Sequence, residues 1–168
     1  GAPTALDAVT GTASGEVDLS WTAPTNPGRP ATIDDYEFRR STNGGTTWGA
    51  WTSTGSTSTT YTDSGCGANT NCTYEVRAVN ATGAGSASSS DSAYGAGAPG
   101  APTSLNATTG DASGEVDLSW TAPTETGHPA LDDYEFRRST DGGSTWGAWT
   151  STGSTATTYT DTGCGAGT

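Results

Sequence analysis

Apolar and polar residues alternate one for one in several short runs of this chain. At residues 16–21, Val17, Leu19 and Trp21 are spaced by Asp18 and Ser20. At 34–41, Tyr36 and Phe38 alternate with Asp35, Glu37 and Arg39, and at 72–79, Cys72, Tyr74, Val76 and Ala78 alternate with Thr73, Glu75, Arg77 and Val79. A period of two sends successive side chains to opposite faces, so each run reads as a strand buried on one face. The run around Tyr61 and a weaker one at 86–94 read the same way, and "NGG" at 43–45 marks a hairpin leading into residues 46–54. No segment carries a convincing helical period. About seven short strands in about 100 residues indicate an all-β, immunoglobulin-like sandwich.

The pattern occurs twice. "SGEVDLSWTAPT" at 14–25 returns at 113–124, and "DDYEFRRST" at 34–42 returns at 132–140, one residue having been lost between the two blocks. A repeat of about 100 residues is a whole domain rather than a solenoid unit. Residues 1–99 form the first copy and 100–168 the second, with the Gly- and Pro-rich "YGAGAPGAPT" at their boundary. The second copy stops at the equivalent of Thr70, so a counterpart of the strand at 72–80 and of the one after it is expected to be missing. The chain therefore reads as part of a longer tandem array. The alternative is completion in trans by strands of a neighbouring copy.

Composition narrows the function. Acidic residues number 18 against 6 basic ones, all of them arginine, for a net charge of −12. Nucleic acid and anionic membranes both require clustered positive charge and are excluded as partners. Only 30% of the residues are hydrophobic and Gly occurs 25 times, a balance suited to short-stranded domains with thin cores. No run approaches the roughly 20 apolar residues of a membrane span, and no basic-then-apolar leader starts at Gly1, as expected of a mature protein or a fragment. The cysteines number 3, an odd count that in an exported protein leaves one without its partner.

The opening "APTAL", the "VDLSW" followed by "TAP", the "DDYEF" and above all "YEVRAVNATGAGSAS" together resemble the fibronectin type III domain, across nearly the whole chain. The glycine-rich "STNGGTTWGAW" is similar to bacterial and archaeal extracellular versions. The resemblance implies two tandem sandwiches, the second lacking strands F and G. It also bears on the cysteines. In that family the E–F corner carries a leucine and, six residues later, a tyrosine that locks the corner; those positions here are Cys66 and Cys72. The resemblance thus implies a disulfide in place of the tyrosine corner, with Cys164 unpaired because its partner would lie beyond the second copy. Closing a loop of about 7 residues would stabilise by roughly 2.4 kcal/mol. Two small buried thiols are the alternative. A disulfide implies an oxidising, extracellular or cell-surface location.

Several residues are candidates for chemistry, each with a plainer reading beside it. Trp48 and Trp51, repeated as Trp146 and Trp149, are candidate glycan-contact aromatics; the alternative is that one fills the core edge and the other lies across Arg39. Three positions apart on a regular strand they would face opposite ways, and only a bulge at Gly49 would bring them together. Glu37 and Arg39 are expected to meet Arg77 and Glu75 across strands as scaffold contacts. The Asp34–Asp35 and Asp132–Asp133 pairs lack a calcium-loop pattern and read as solvated strand starts. Asn71, Asn80 and Asn106 each begin an N-x-T sequon for N-glycosylation, with Asn80 expected to be the most accessible. The single His128 reads as a surface loop residue, no catalytic constellation can be assembled, and no metal or cofactor is implied.

The sequence thus indicates a non-enzymatic extracellular structural repeat protein, part of a surface filament, sheath or adhesin stalk. Its partners would be other copies of itself or neighbouring repeats, with polysaccharide as a further candidate. The alternatives are a spacer or carbohydrate-binding accessory module of a secreted carbohydrate-active enzyme, or a decoration on a phage virion.

Overall fold

In the computed structural model, which describes residues 1–165, the alternating runs form strands, and no helix occurs among the described residues. These strands are β1 (Thr4–Thr10), β2 (Val17–Thr22), β3 (Asp35–Ser41), β4 (Thr52–Ser53), β5 (Thr60–Asp63), β6 (Asn71–Asn80), β7 (Gly83–Ala84), β8 (Asp91–Tyr94), β9 (Thr103–Thr109), β10 (Val116–Thr121), β11 (Glu135–Phe136), β12 (Thr150–Ser151) and β13 (Thr158–Asp161). The residues divide into two units, one of Gly1–Ala98 with Gly127–Pro129, the other of Pro99–Thr126 with the residues from Ala130 onward.

The first unit is a sandwich of two antiparallel sheets. One has the order β1-β2-β5; the other runs β4-β3-β6-β7, with β8 pairing the first half of β6. The alternation seen in the sequence decides what lies between them. Val17, Leu19 and Trp21 of β2 are buried, as are Tyr36 and Phe38 of β3 and Cys72, Tyr74, Val76 and Ala78 of β6. Trp21 meets Tyr36 edge-on with ring centroids 5.1 Å apart, and Phe38 packs on Tyr61 at 4.8 Å. Such aromatic pairs add specific geometry to the burial of a thin core. β6 is the spine of this sheet, since β3 pairs it through seven consecutive positions from Asp35↔Val79 to Ser41↔Thr73.

One part of the expected strand pattern differs. The stretch after the "NGG" hairpin was expected to run on as a strand, yet only Thr52–Ser53 pairs with β3. The turn itself is built by side chains. Gly44 and Gly45 take φ of 66° and 83°, a region open to glycine. The Gly45 N–H donates to the Ser41 hydroxyl, and the Thr47 N–H to the Asn43 side-chain oxygen at 2.9 Å. These bonds hold the backbone out of ladder geometry until Thr52.

The second unit repeats the first sheet as β13-β10-β9, with Val116↔Asp161 reproducing the register of Val17↔Asp63. Of the other sheet only β11 and β12 occur among the described residues. β11 is two residues long where β3 has seven, because no counterpart of β6 lies along its other edge among the described residues. Packing responds accordingly. Leu6 is 8% exposed and its equivalent Leu105 is 71% exposed. Leu118, Trp120 and Phe136 are only half-buried, and among the apolar side chains of this unit's core Tyr134 is the buried one.

Candidate functional site

Two places gather chemistry-bearing side chains: the outer face of β3 and β6, and the corner joining β5 to β6. On the outer face Arg39 and Arg77 point away from the core, as their parity dictates. The Arg39 Nε and Nη2 both donate to Glu75 Oε2, at 2.8 and 2.6 Å, and Arg77 Nε donates to Glu37 Oε2 at 2.7 Å. The expected cross-strand pairs therefore form, each worth about 0.2–1 kcal/mol.

The tryptophans complete this face. The Arg39 guanidinium lies 4.7 Å from the ring centres of both Trp48 and Trp51, and Arg77 lies 4.2 Å from Trp51. The result is a ladder in the order Trp48, Arg39, Trp51, Arg77, with a carboxylate holding each guanidinium. Sequence parity placed the two rings on opposite faces; the irregular backbone brings them to the same side. Gly49 N–H donates to Arg40 O at 2.8 Å, which anchors the departure from the ladder between the two rings. In this arrangement at least one face of each ring is taken by a cation, and both rings are half-buried.

The second unit builds half of the same ladder. Arg137 lies 4.9 Å from the Trp146 ring centre and 4.7 Å from Trp149. Among the described residues neither Arg137 nor Glu135 has an ion-pair partner, and the rings are 52% and 57% exposed. Trp146 and Trp149 join Pro102, Leu105, Trp120 and Phe136 along an open groove of about 330 Å³.

At the corner, Cys66 and Cys72 are joined by a disulfide and both are buried. A tyrosine nevertheless serves the corner as well: the buried Tyr74 hydroxyl donates to Asp63 Oδ2 at 2.9 Å, and Arg40 Nη1 donates to the same oxygen. Burial, and then the Asp63 charge, push the Tyr74 hydroxyl far above its ordinary pKa, so it stays protonated as the donor. Sequence reasoning missed this trio. Its signal was present in the recurrence of Arg40 and Asp63 as Arg138 and Asp161, of which Arg138 Nη1 donates to Asp161 Oδ2. Burial raises the Asp161 carboxyl, but the Arg138 hydrogen bond, the Gly163 N–H and the Arg138 charge outweigh it and hold the group below its usual range. Cys164 donates its backbone N–H to Gly114 O.

The remaining candidates are scattered. Asp35 accepts from the Ser53 and Thr54 hydroxyls and the Ser56 N–H, and Asp133 accepts from the Thr152 hydroxyl and the Ser154 N–H. These carboxylates staple the ends of β4 and β12. Among the described residues no three His, Cys, Asp or Glu side chains gather closely enough to hold a metal ion. Asn80, expected to be the most accessible sequon, is instead engaged: its Nδ2 donates to Pro27 O at 3.1 Å and to Pro30 O at 3.4 Å. Asn71 and Asn106 are the exposed sequon asparagines.

Comparison with known proteins places this architecture. No family model and no curated protein sequence matches the chain. Solved structures do. A Fn3-like protein from Clostridium thermocellum is 30% identical over 55% of this chain and 90% of its own, with a TM-score of 0.44. The FN1–FN3 domains of chicken CNTN1 align over 98% of this chain and 57% of theirs, at 18% identity and a TM-score of 0.50. A two-domain fibronectin type III segment of chicken tenascin is 17% identical over 98% of this chain and 85% of its own, with a TM-score of 0.45.

Proposed function

The chain is a tandem of fibronectin type III-like domains, and on that premise we propose that it is a non-enzymatic structural repeat of an extracellular surface filament, sheath or adhesin stalk. The observation that carries this reading is how the polar side chains are spent. In the first unit Arg39, Arg77, Glu37 and Glu75 pair with one another between tryptophans, and Arg40, Asp63 and Tyr74 close the corner. Reactive group types are thus committed to holding sheets and corners together instead of lining a cleft. The disulfide suits an oxidising compartment, and the net charge of −12 keeps neighbouring repeats soluble.

The test is the denatured mass of the protein from its native source, with and without reductant. A mass far above 16.7 kDa, built of further repeats of this kind, supports the structural array, and excess over the encoded mass reports glycans, with Asn71 and Asn106 as their sites. A catalytic domain in the same chain would instead favour the accessory-module reading.

That second reading has its own observation, the exposure of Trp146 and Trp149. Stacking of sugar rings on these aromatics would retain the chain on insoluble polysaccharide, and Trp149→Ala would release it.

A further inference from the structure

We propose that Asn43–Gly44, at the tip of the first unit's hairpin, is a self-modification site, where the turn directs the Asn43 side chain to become aspartate by intramolecular loss of ammonia. The two units provide an internal comparison, because the equivalent turn of the second unit already carries the product residue, Asp141.

The nucleophile is the Gly44 backbone nitrogen. Among the asparagines of the chain, only Asn43 precedes glycine. Gly44 is exposed, and apart from its chain neighbours no atom lies within 4 Å of where a Cβ would stand. A side chain there would crowd the approach to Asn43 Cγ, and glycine leaves it open. The N–H groups on either side, of Asn43 and Gly45, both donate to the Ser41 hydroxyl, while that of Gly44 has no hydrogen-bond partner among the described residues.

The group under attack is held by donors. The Ser41 hydroxyl and the Thr47 N–H donate to Asn43 Oδ1 at 2.8 and 2.9 Å. Negative charge develops on that oxygen as the nitrogen adds to Cγ, and donors already in place stabilise it without rearranging. Ser41 is 2% exposed, so its hydroxyl is a fixed part of the turn. Asn43 Nδ2 donates to Thr47 Oγ1 at 2.8 Å, which places a hydroxyl where it can return a proton to the departing nitrogen. The step needs no cofactor. The Gly44 nitrogen bonds to Asn43 Cγ and gives up its proton, the Cγ–Nδ2 bond breaks, and ammonia leaves a cyclic imide. Water then opens the imide at Cγ, which restores the backbone and leaves a carboxylate at position 43. Opening at the backbone carbonyl would instead give isoaspartate, with the chain routed through Cγ.

The second unit shows how the turn receives the product. Asp141 Oδ1 accepts from the Ser139 hydroxyl and the Thr145 N–H, both at 2.8 Å, and Oδ2 accepts from the Thr145 hydroxyl at 2.7 Å. A carboxylate thus takes over each bond that the amide makes, the threonine hydroxyl now donating. Isoaspartate adds a carbon to the backbone and breaks this arrangement, so the folded turn favours aspartate. The reaction also runs one way. The same bonds keep the Asp141 carboxyl ionised down to about pH 2, and a carboxylate resists attack by a backbone nitrogen. Conversion makes the chain one charge more negative than −12 and gives both hairpins an acidic tip.

This inference does not rest on the structural-repeat reading. The test is to hold the full chain in neutral buffer at physiological temperature and follow it by peptide mapping. The expected result is a gain of about 1 Da at Asn43 in the folded chain, with aspartate as the main product by fragmentation and the other asparagines unchanged. Thr47→Val, which removes the hydroxyl and keeps the N–H, should slow conversion of the folded chain about tenfold or more and leave the rate in urea unaltered. Thr47→Ser should recover it. Three results would overturn the proposal: conversion in urea with none in the folded chain, isoaspartate as the main folded-state product, or equal folded-state rates with and without the Thr47 hydroxyl. The first two are read on the unaltered chain, so they stand even if a substituted hairpin opens.

Discussion

Tyr74 is fully buried with its hydroxyl on Asp63, so its contribution can be separated from its ring. Tyr74→Phe keeps the apolar packing against Phe38 and deletes one hydrogen bond to a charged acceptor. The expected cost is roughly 1–2 kcal/mol of first-unit stability, read from urea denaturation; no loss would mean that Arg40 alone satisfies Asp63. The hairpin turns offer a second residue-level test, because they differ at only two positions, Asn43 for Asp141 and Thr46 for Ser144. Asn43 accepts from Ser41 and Thr47 in the first unit, and Asp141 accepts from Ser139 and Thr145 in the second. Bonds from the Thr145 hydroxyl and N–H, and then from Ser139, lower the Asp141 carboxyl from 3.8 to about 2. A carboxylate whose pKa is depressed by folding stabilises fully above its unfolded pKa and loses that contribution as pH falls through the folded value. The second unit should therefore weaken between about pH 4 and pH 2 in part through this turn. Asp141→Asn, which installs the first unit's own residue, should make its melting temperature less dependent on pH across that window, with a small loss at pH 7, where the carboxylate contributes fully, that fades below about pH 2.

At the scale of elements, the β5–β6 corner carries both a disulfide and the Tyr74 bond. Reduction should lower first-unit stability by roughly 2 kcal/mol, the chain-entropy value for so short a loop, and leave the unfolding of the second unit where it was. A null result on the first unit would assign the corner to Tyr74 and Asp63. The strands were legible in the sequence wherever one face is buried, because burial on one side is what writes the period of two: β2, β3 and β6 follow it through Val17, Tyr36 and Tyr74. The segment from Trp48 to Trp51 was not legible. Its faces are set by Gly49 bonding to Arg40 and by one guanidinium drawing two rings together, a tertiary arrangement with no periodic signature. Asn80 was misread for a similar reason, since the carbonyls that engage its amide belong to Pro27 and Pro30, far away in sequence. The Arg40–Asp63 pair was legible only as a repeated coincidence of charge in the two copies, without a hint that Tyr74 would join it.

At the scale of the whole molecule, nearly identical sequences meet two different degrees of burial, and the chain becomes its own control. Leu6 and Leu105 occupy equivalent positions on β1 and β9, yet one is 8% and the other 71% exposed. Leucine in a packed core loses transfer energy and leaves a cavity when cut to alanine, about 2–5 kcal/mol, whereas an exposed leucine changes stability by about 0.5 kcal/mol or less. Leu6→Ala should therefore lower the first unit's unfolding transition markedly, and Leu105→Ala should barely move that of the second, which should itself melt first because its core is half covered. Calorimetry with amide exchange assigns each transition to its unit. If Leu105→Ala costs as much as Leu6→Ala, Leu105 is covered in solution and the two copies bury their equivalent leucines alike.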